Sequence, residues 1–240
     1  MEEWHHGGAH PGAGGGRETR LYWLFGLAVV VAAFLAVRWQ GQTHPHPMPF
    51  WLEGFFLDNP LRRQVFGPRF VLDLAAVASG EQVAEVGCGI GYVSEALAER
   101  VGAGGSVQAL DQSPEAVRAA TRRLSACAAA CTVVEGDAAA LPWPSASLDA
   151  VVMVAMLGEL PADRRLAALS EVRRVLRPDG RLTVVEYWPD PHFLRPERLA
   201  GYLSAAGFRM EAAGKRPGQH GIRSRPAAEG KAGEEPDAQA

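Results

Sequence analysis

The sequence predicts an α/β fold, a mostly parallel sheet with helices on both faces. Three observations predict it. Apolar runs of strand length recur near 82–87, 106–111, 132–136, 149–155 and 181–187, with helix-like stretches between them. Strands that alternate with helices pair in parallel and bury both sheet faces. The first run breaks at Gly87, Gly89 and Gly91, and a helix-like run follows. Glycine is needed where backbone turns sharply or lies against a ligand, because a Cβ would clash. Finally, the second run closes on Asp111, whose carboxylate can accept hydrogen bonds from two hydroxyls. Strand, glycine turn, helix and acidic strand end form the nucleoside-binding half of a Rossmann-like sheet.

Taken in order, residues 1–20 are rich in Gly and His and lack periodicity, so a disordered tail is expected. His5, His6 and His10 offer no fixed geometry there, and no metal site is expected. An uncharged run, LYWLFGLAVVVAAFLAV, starts at Leu21 and ends at Val37. As a helix it spans about 26 Å, slightly under the roughly 30 Å hydrocarbon core. Tyr22, Trp23 and Trp39 suit the interfaces. A transmembrane helix over 21–38 is the expectation. A cleaved signal peptide and a buried helix are the alternatives, the first disfavoured by Arg38-Trp39-Gln40 where small residues belong. Residues 39–58 read as a linker. Within it, the six large apolar residues Phe50, Trp51, Leu52, Phe55, Phe56 and Leu57 suit a bilayer surface, a lid or ordinary packing.

The domain is placed at 59–214. Residues 59–78 read as helical, interrupted at Gly67-Pro68. A helix over 91–101 follows the glycines. Ser113 caps the next helix with Pro114 in its first turn. Pro161 opens another, on which Leu166, Leu169, Val172 and Leu176 recur at helical spacing. A helix over 195–206 ends at Gly207. Residues 208–213 supply a strand. Only 219–224 offers a further one, and a poor one, so 215–240 is expected to be a disordered tail.

The chain is 48% hydrophobic with a net charge of -3, enough for a core and without a basic nucleic-acid surface. Three cysteines fit a reducing compartment. Cys127 and Cys131, four apart, and Cys88 are read as packing residues.

The glycine spacing is G-x-G-x-G, with bulky Tyr92 where dinucleotide folds place a small residue. That disfavours NAD. The stretch Val83-Ala84-Glu85-Val86-Gly87-Cys88-Gly89-Ile90-Gly91-Tyr92 resembles motif I of the class I S-adenosylmethionine (SAM) dependent methyltransferases. Leu110-Asp111-Gln112-Ser113-Pro114-Glu115 is similar to their second motif. Glu135-Gly136-Asp137-Ala138, with Leu141-Pro142-Trp143-Pro144 and Ser147-Leu148-Asp149-Ala150-Val151-Val152, is similar to the third. Arg177-Pro178-Asp179-Gly180 and Ala206-Gly207-Phe208 match later steps. The motifs run from about 70 to 213, in the family's order. Motif-level likeness extends to quinone-biosynthesis methyltransferases.

The resemblance implies SAM as cofactor, held by Glu85, Gly87, Cys88, Gly89, Gly91, Asp111, Gln112, Asp137 and Ala138. Asp111 would hold the ribose hydroxyls, Asp137 the adenine amino group, and Glu85 the methionyl amino group. Each acid also has an alternative as a turn or loop residue. By the strand-end rule, the acceptor pocket is lined by Met156, Glu159 and Tyr187. Glu186 and His192 are the candidate bases, with loop-orienting and solvent-exposed roles as alternatives. The expected function is a membrane-anchored transfer of methyl to a small, lipophilic acceptor, a metabolite or lipid. A SAM-binding partner without transfer activity is the second reading. SAM is made in the cytosol, so the domain of a single-pass membrane protein would face the cytoplasm, although Arg17, Arg20 and Arg38 give weak charge bias.

Overall fold

Strand β1 (Gln82–Val86) is buried along all but its first residue. A parallel strand covered on both faces has no wet side, which is why its sequence shows little polar alternation. In the computed structural model, residues 22–29, 31, 32, 35, 36, 39, 67–188 and 190–227 are described. Helix α1 (Arg69–Ala75) precedes β1. Then come α2 (Tyr92–Val101), β2 (Ser106–Asp111), α3 (Pro114–Leu124), β3 (Ala130–Glu135) and β4 (Leu148–Val154). A short 3-10 turn (Leu157–Glu159) leads to α4 (Ala162–Val175), β5 (Leu176–Tyr187), α5 (Pro196–Ala205), β6 (Phe208–Arg216) and β7 (Gln219–Pro226).

The seven strands pair in the order β3-β2-β1-β4-β5-β7-β6. The first five are parallel, and β7 runs antiparallel to both β5 and β6. Val86, Met153, Leu182 and Val184 pack under Leu169, Val172, Leu199 and Leu203 of α4 and α5. On the other face, Val83, Val107, Val152, Val185 and Tyr187 meet Phe70, Val71 and Ala75 of α1 and Leu97 of α2. Helix α3 places Ala120 and Leu124 on Ala109 and Cys88, beside Cys127 and Cys131. Ser113 caps α3 by accepting from the Ala116 N–H at 3.3 Å.

The expected tail from 215 onward is corrected. Residues 215 and 216 lie in β6 and 219–226 in β7, joined by a turn at 217–218, and 228–240 fall outside the described residues. Gly221 and two arginines make β7 look weak as an isolated strand, but packing overrides that preference. A Cβ on Gly221 would lie 2.7 Å from Leu74 and 2.8 Å from Val185, so glycine lets α1 and β5 close on the strand. A second difference is at Arg177-Pro178-Asp179-Gly180. Leu148 pairs with Leu176 but Ala150 with Arg181, so these residues, where the family resemblance implies a Pro-Asp-Gly turn before the strand, form an irregular bulge at the start of β5.

Residues 22–29, 31, 32, 35, 36 and 39 are helical, with Trp23 77% and Phe25 71% exposed. Among the described residues no helix is long and apolar enough to cross a membrane. The span expected over 21–38 lies partly outside those residues, as do the tail over 1–20, almost all of the linker over 39–58 and the helix expected to begin at 59.

One buried ion pair ties α1 to the sheet. Arg181 is 7% exposed; its guanidinium donates to Glu81 at 2.6 and 3.0 Å, and to the Ala75 and Ala76 carbonyls at 2.6 and 2.8 Å. Removing Arg181 leaves Glu81, which is partly buried, with only the Ala78 N–H, and the carbonyls at the end of α1 without their donor. Arg181→Ala is therefore expected to destabilise the domain by about 3–5 kcal/mol, read from denaturant midpoints. A loss within the range of a surface pair, below about 1 kcal/mol, would show that the pair does not hold α1.

Candidate functional site

The glycine loop is built by the end of β1 meeting β2. The N–H groups of Gly87 and Cys88 both donate to the Leu110 carbonyl, at 2.8 and 3.0 Å. Gly87, Gly89 and Gly91 all have positive φ. At Gly91 (φ 78°) a Cβ would lie 3.0 Å from the backbone of Ala120, so a side chain would part α2 from α3. At Gly87 a Cβ would lie 2.8 Å from Met156, whose side chain occupies the space above the loop. Cys88 is buried in the small α3 cluster.

Asp111 pins this loop. One carboxylate oxygen accepts the Gly89 N–H at 2.8 Å, the other the Ser113 N–H at 2.9 Å. A carboxylate has about four acceptor positions, so capacity for two further donors remains. Glu85 is 2% exposed and accepts from the Ser94 hydroxyl of α2. Burial, partly offset by Ser94 and reinforced by the charge of Asp111, pushes its carboxyl up to about 8. Glu85 therefore ties β1 to α2.

Beyond the ends of β2 and β3 lies an open cavity of about 290 Å³, lined by Gln112, Glu135, Gly136, Asp137 and Arg164. Asp137 accepts the Ala139 N–H at 2.9 Å and forms an ion pair with Arg164 from the first turn of α4. The guanidinium, then the Ala139 N–H, hold the Asp137 carboxyl below its usual range. Ala138 is buried beneath. A polar cavity beside a half-satisfied Asp111 fits the nucleoside end of SAM. Arg164 was not legible as a site residue, because only the path of α4 brings it to Asp137.

The second group gathers where β5 ends. Glu186 is 1% exposed; one oxygen accepts the Leu194 N–H at 3.3 Å, and the other has no hydrogen-bond partner among the described residues. Burial, then the charge of Asp190, push its carboxyl up to about 8. His192 is also buried, and its N–H donates to Asp190 at 2.7 Å. The expected alternative of a solvent-exposed His192 is thereby corrected: residues 190–194 fold inward under the 3-10 turn. Met156 stands over Gly87, and Glu159 ends the 3-10 turn. Tyr187 faces the α1 and α2 side of the sheet, whereas Glu186, its neighbour in the strand, points to the opposite face. The structure thus gathers Glu186, Asp190 and His192 and sets Tyr187 apart. It adds two residues the sequence did not flag. Arg165 of α4 donates to the Leu157 and Gly158 carbonyls at 3.0 and 2.8 Å. His220 of β7 lies opposite Glu186 in the antiparallel register. Among the described residues there is no cluster of three or more His, Cys, Asp or Glu suited to a metal.

Comparison with known proteins bears on these motifs. A methyltransferase domain family matches residues 83–180. A chloroplastic 2-phytyl-1,4-beta-naphthoquinone methyltransferase of Arabidopsis thaliana is 36% identical over 112 residues, 45% of this chain and 42% of that protein. A demethylmenaquinone methyltransferase of Thermus thermophilus is 32% identical over 123 residues, covering 51% and 54%. Nocamycin O-methyltransferase of Saccharothrix syringae is 35% identical over 145 residues, covering 57% and 50%. The chain thus spans about half the length of these relatives. A SAM-dependent methyltransferase from Aquifex aeolicus shares the fold, with a TM-score of 0.67 and 23% identity over 74% of this chain and 98% of that one. The [4+2]-cyclase SpnF does so at 0.58, with 20% identity over 67% and 79%. With its glycine loop and strand-end acids on this sheet, the chain matches a methyltransferase domain family through residues 83–180 and shares the fold of the S-adenosylmethionine-dependent methyltransferases.

Proposed function

We propose that this chain transfers a methyl group from SAM to a small lipophilic acceptor of the quinone-precursor kind. The observation that carries the reading is Asp111, which fixes the glycine loop through Gly89 and keeps two acceptor positions beside a polar cavity. In this reading Asp111 holds the ribose hydroxyls, and Asp137 and Gln112 meet the adenine from the cavity wall. The loop from Gly87 to Gly91, with Cys88 packed beneath, carries the rest of the cofactor, and Glu85 braces it through Ser94. SAM when bound supplies an activated methyl on a sulfonium. The chain's part is to position, to exclude water and to take the acceptor's proton. Glu186, with one oxygen unpartnered, is the proposed base, and His192 shapes the segment over it. Met156 and Glu159 border the acceptor's approach. The printed activities of the naphthoquinone and demethylmenaquinone relatives support the acceptor class.

Asp111→Ala should weaken SAM binding roughly tenfold or more, the worth of a charge-assisted contact of about 1.5–3 kcal/mol. Isothermal titration of the folded variant checks this, and unchanged affinity would remove the ribose assignment. Incubation with labelled SAM and a lipid extract, followed by product identification, tests transfer itself.

The run that starts at Leu21 is proposed to tether the chain to a membrane with the domain on the cytoplasmic side. The exposed apolar side chains at Tyr22, Trp23, Leu24 and Phe25 support it. The full chain should then stay with membranes through a carbonate wash. Recovery in the soluble fraction would refute the tether.

A second reading, a SAM-binding partner without transfer activity, is favoured by Met156 filling the space over Gly87. Formation of S-adenosylhomocysteine with a membrane extract separates the two.

A further inference from the structure

Residues 190–194 run back over the end of β5 as a strap, and its fixings are unusual. The Leu194 peptide is held at both edges. Its N–H donates to Glu186 at 3.3 Å, and its carbonyl lies 2.8 Å from Nε2 of His220. Glu186 and His220 are direct partners in the β5–β7 ladder, so the two groups reach up from adjacent strands to one peptide unit. Phe193 stands edge-on to the His220 ring, with centroids 5.1 Å apart and planes at 84°. Asp190 braces the strap from within, accepting the His192 N–H at 2.7 Å. From above, the 3-10 turn closes on it, since a Cβ on Gly158 would collide with the His192 carbonyl. Arg165 in turn holds Gly158 and Leu157 by their carbonyls.

We propose that His220 is a positioning residue that acts with Glu186 to clamp the Leu194 peptide and so hold residues 190–194 over the acceptor side of the site. This rests on the methyltransferase reading only for which side the acceptor enters. His220 touches neither cofactor nor acceptor. It works through Leu194, with Nε2 carrying the proton that the carbonyl accepts. The strap's height above β5 then sets how large and how flat an acceptor can be.

Two substitutions one methylene apart separate the clamp from general packing. The amide nitrogen of Gln matches the reach of Nε2, and that of Asn falls short of it. In the full-length protein, the Leu194 amide should exchange its hydrogen about tenfold faster in His220→Asn, and near the wild-type rate in His220→Gln. With a prenylated naphthoquinol as the probe acceptor, His220→Asn should raise the acceptor KM several-fold, with SAM affinity and kcat little changed, and His220→Gln should restore it. Gly158→Ala, pushing on the strap from the other side, should mimic His220→Asn. Unchanged Leu194 exchange in His220→Asn, or equal effects of Asn and Gln, would overturn the clamp. Failure of the wild-type protein to bind SAM would instead refute the methyltransferase reading, and exchange at Leu194 would still decide the clamp.

Discussion

Glu186→Gln is expected to lower turnover about 10²-fold while leaving SAM affinity within about twofold. The substitution isolates proton chemistry. A carboxamide oxygen still accepts the Leu194 N–H, so the strap stays in place, and the side chain keeps its volume in a fully packed site. Only the capacity to take a proton is lost. Burial, reinforced by Asp190, has pushed this carboxyl up to about 8. A raised acid works as a base only once it ionises, so the wild-type rate should climb with pH through about 8 and level off above it. In Glu186→Gln that limb should vanish and the residual rate should be flat. Full activity, or a pH profile shared by both proteins, would confine Glu186 to holding Leu194.

Ending the chain after Arg216 is expected to abolish the folded domain. That deletion removes β7, the strand between β5 and β6. It opens the ladder from Leu182 to Tyr187 on one side and from Phe208 to Arg216 on the other. It also uncovers the face where Ile222 packs and leaves Glu186 without His220 across the strand. Each lost backbone hydrogen bond is worth about 1 kcal/mol. Two ladders together with the buried side chains therefore rival the 5–15 kcal/mol by which a domain is stable. Circular dichroism should show no cooperative melt. A sharp transition near the wild-type temperature would mean that the five parallel strands stand alone.

The parts legible in the sequence are those whose constraint is local. The glycine loop needs positive φ at 87, 89 and 91, and only glycine meets that need at low cost. Asp111 caps its own turn through Ser113, two residues on. The buried parallel strands announce themselves as apolar runs. What was missed depends on distant partners. Strand β7 is made by Val185 and Leu74 closing on Gly221, neither of them near it in the chain. The same holds for Arg164 at Asp137, His220 opposite Glu186, and Ser94 on Glu85. Each is an ordinary polar residue until the sheet order puts it there. The strand-end rule brings Tyr187 and Glu186 to one pocket, but neighbours in a strand point to opposite faces.

The place of β7 also sets the order in which the molecule can be completed. A chain leaves the ribosome from its N-terminus at about 5–20 residues per second. Strand β6 emerges before β7, yet among the described residues its ladder is to β7 alone, so it has no strand there to join on arrival. The edge of β5 meanwhile waits with its hydrogen-bonding groups open, the condition in which strands recruit wrong partners. The hairpin then docks as a unit, carrying His220 to Glu186 in the same step that closes the edge. A nascent chain therefore holds its glycine loop and Asp111 on an unclosed sheet until β7 arrives. The fold and the pairing of Glu186 with His220 are completed together, when β7 has been made.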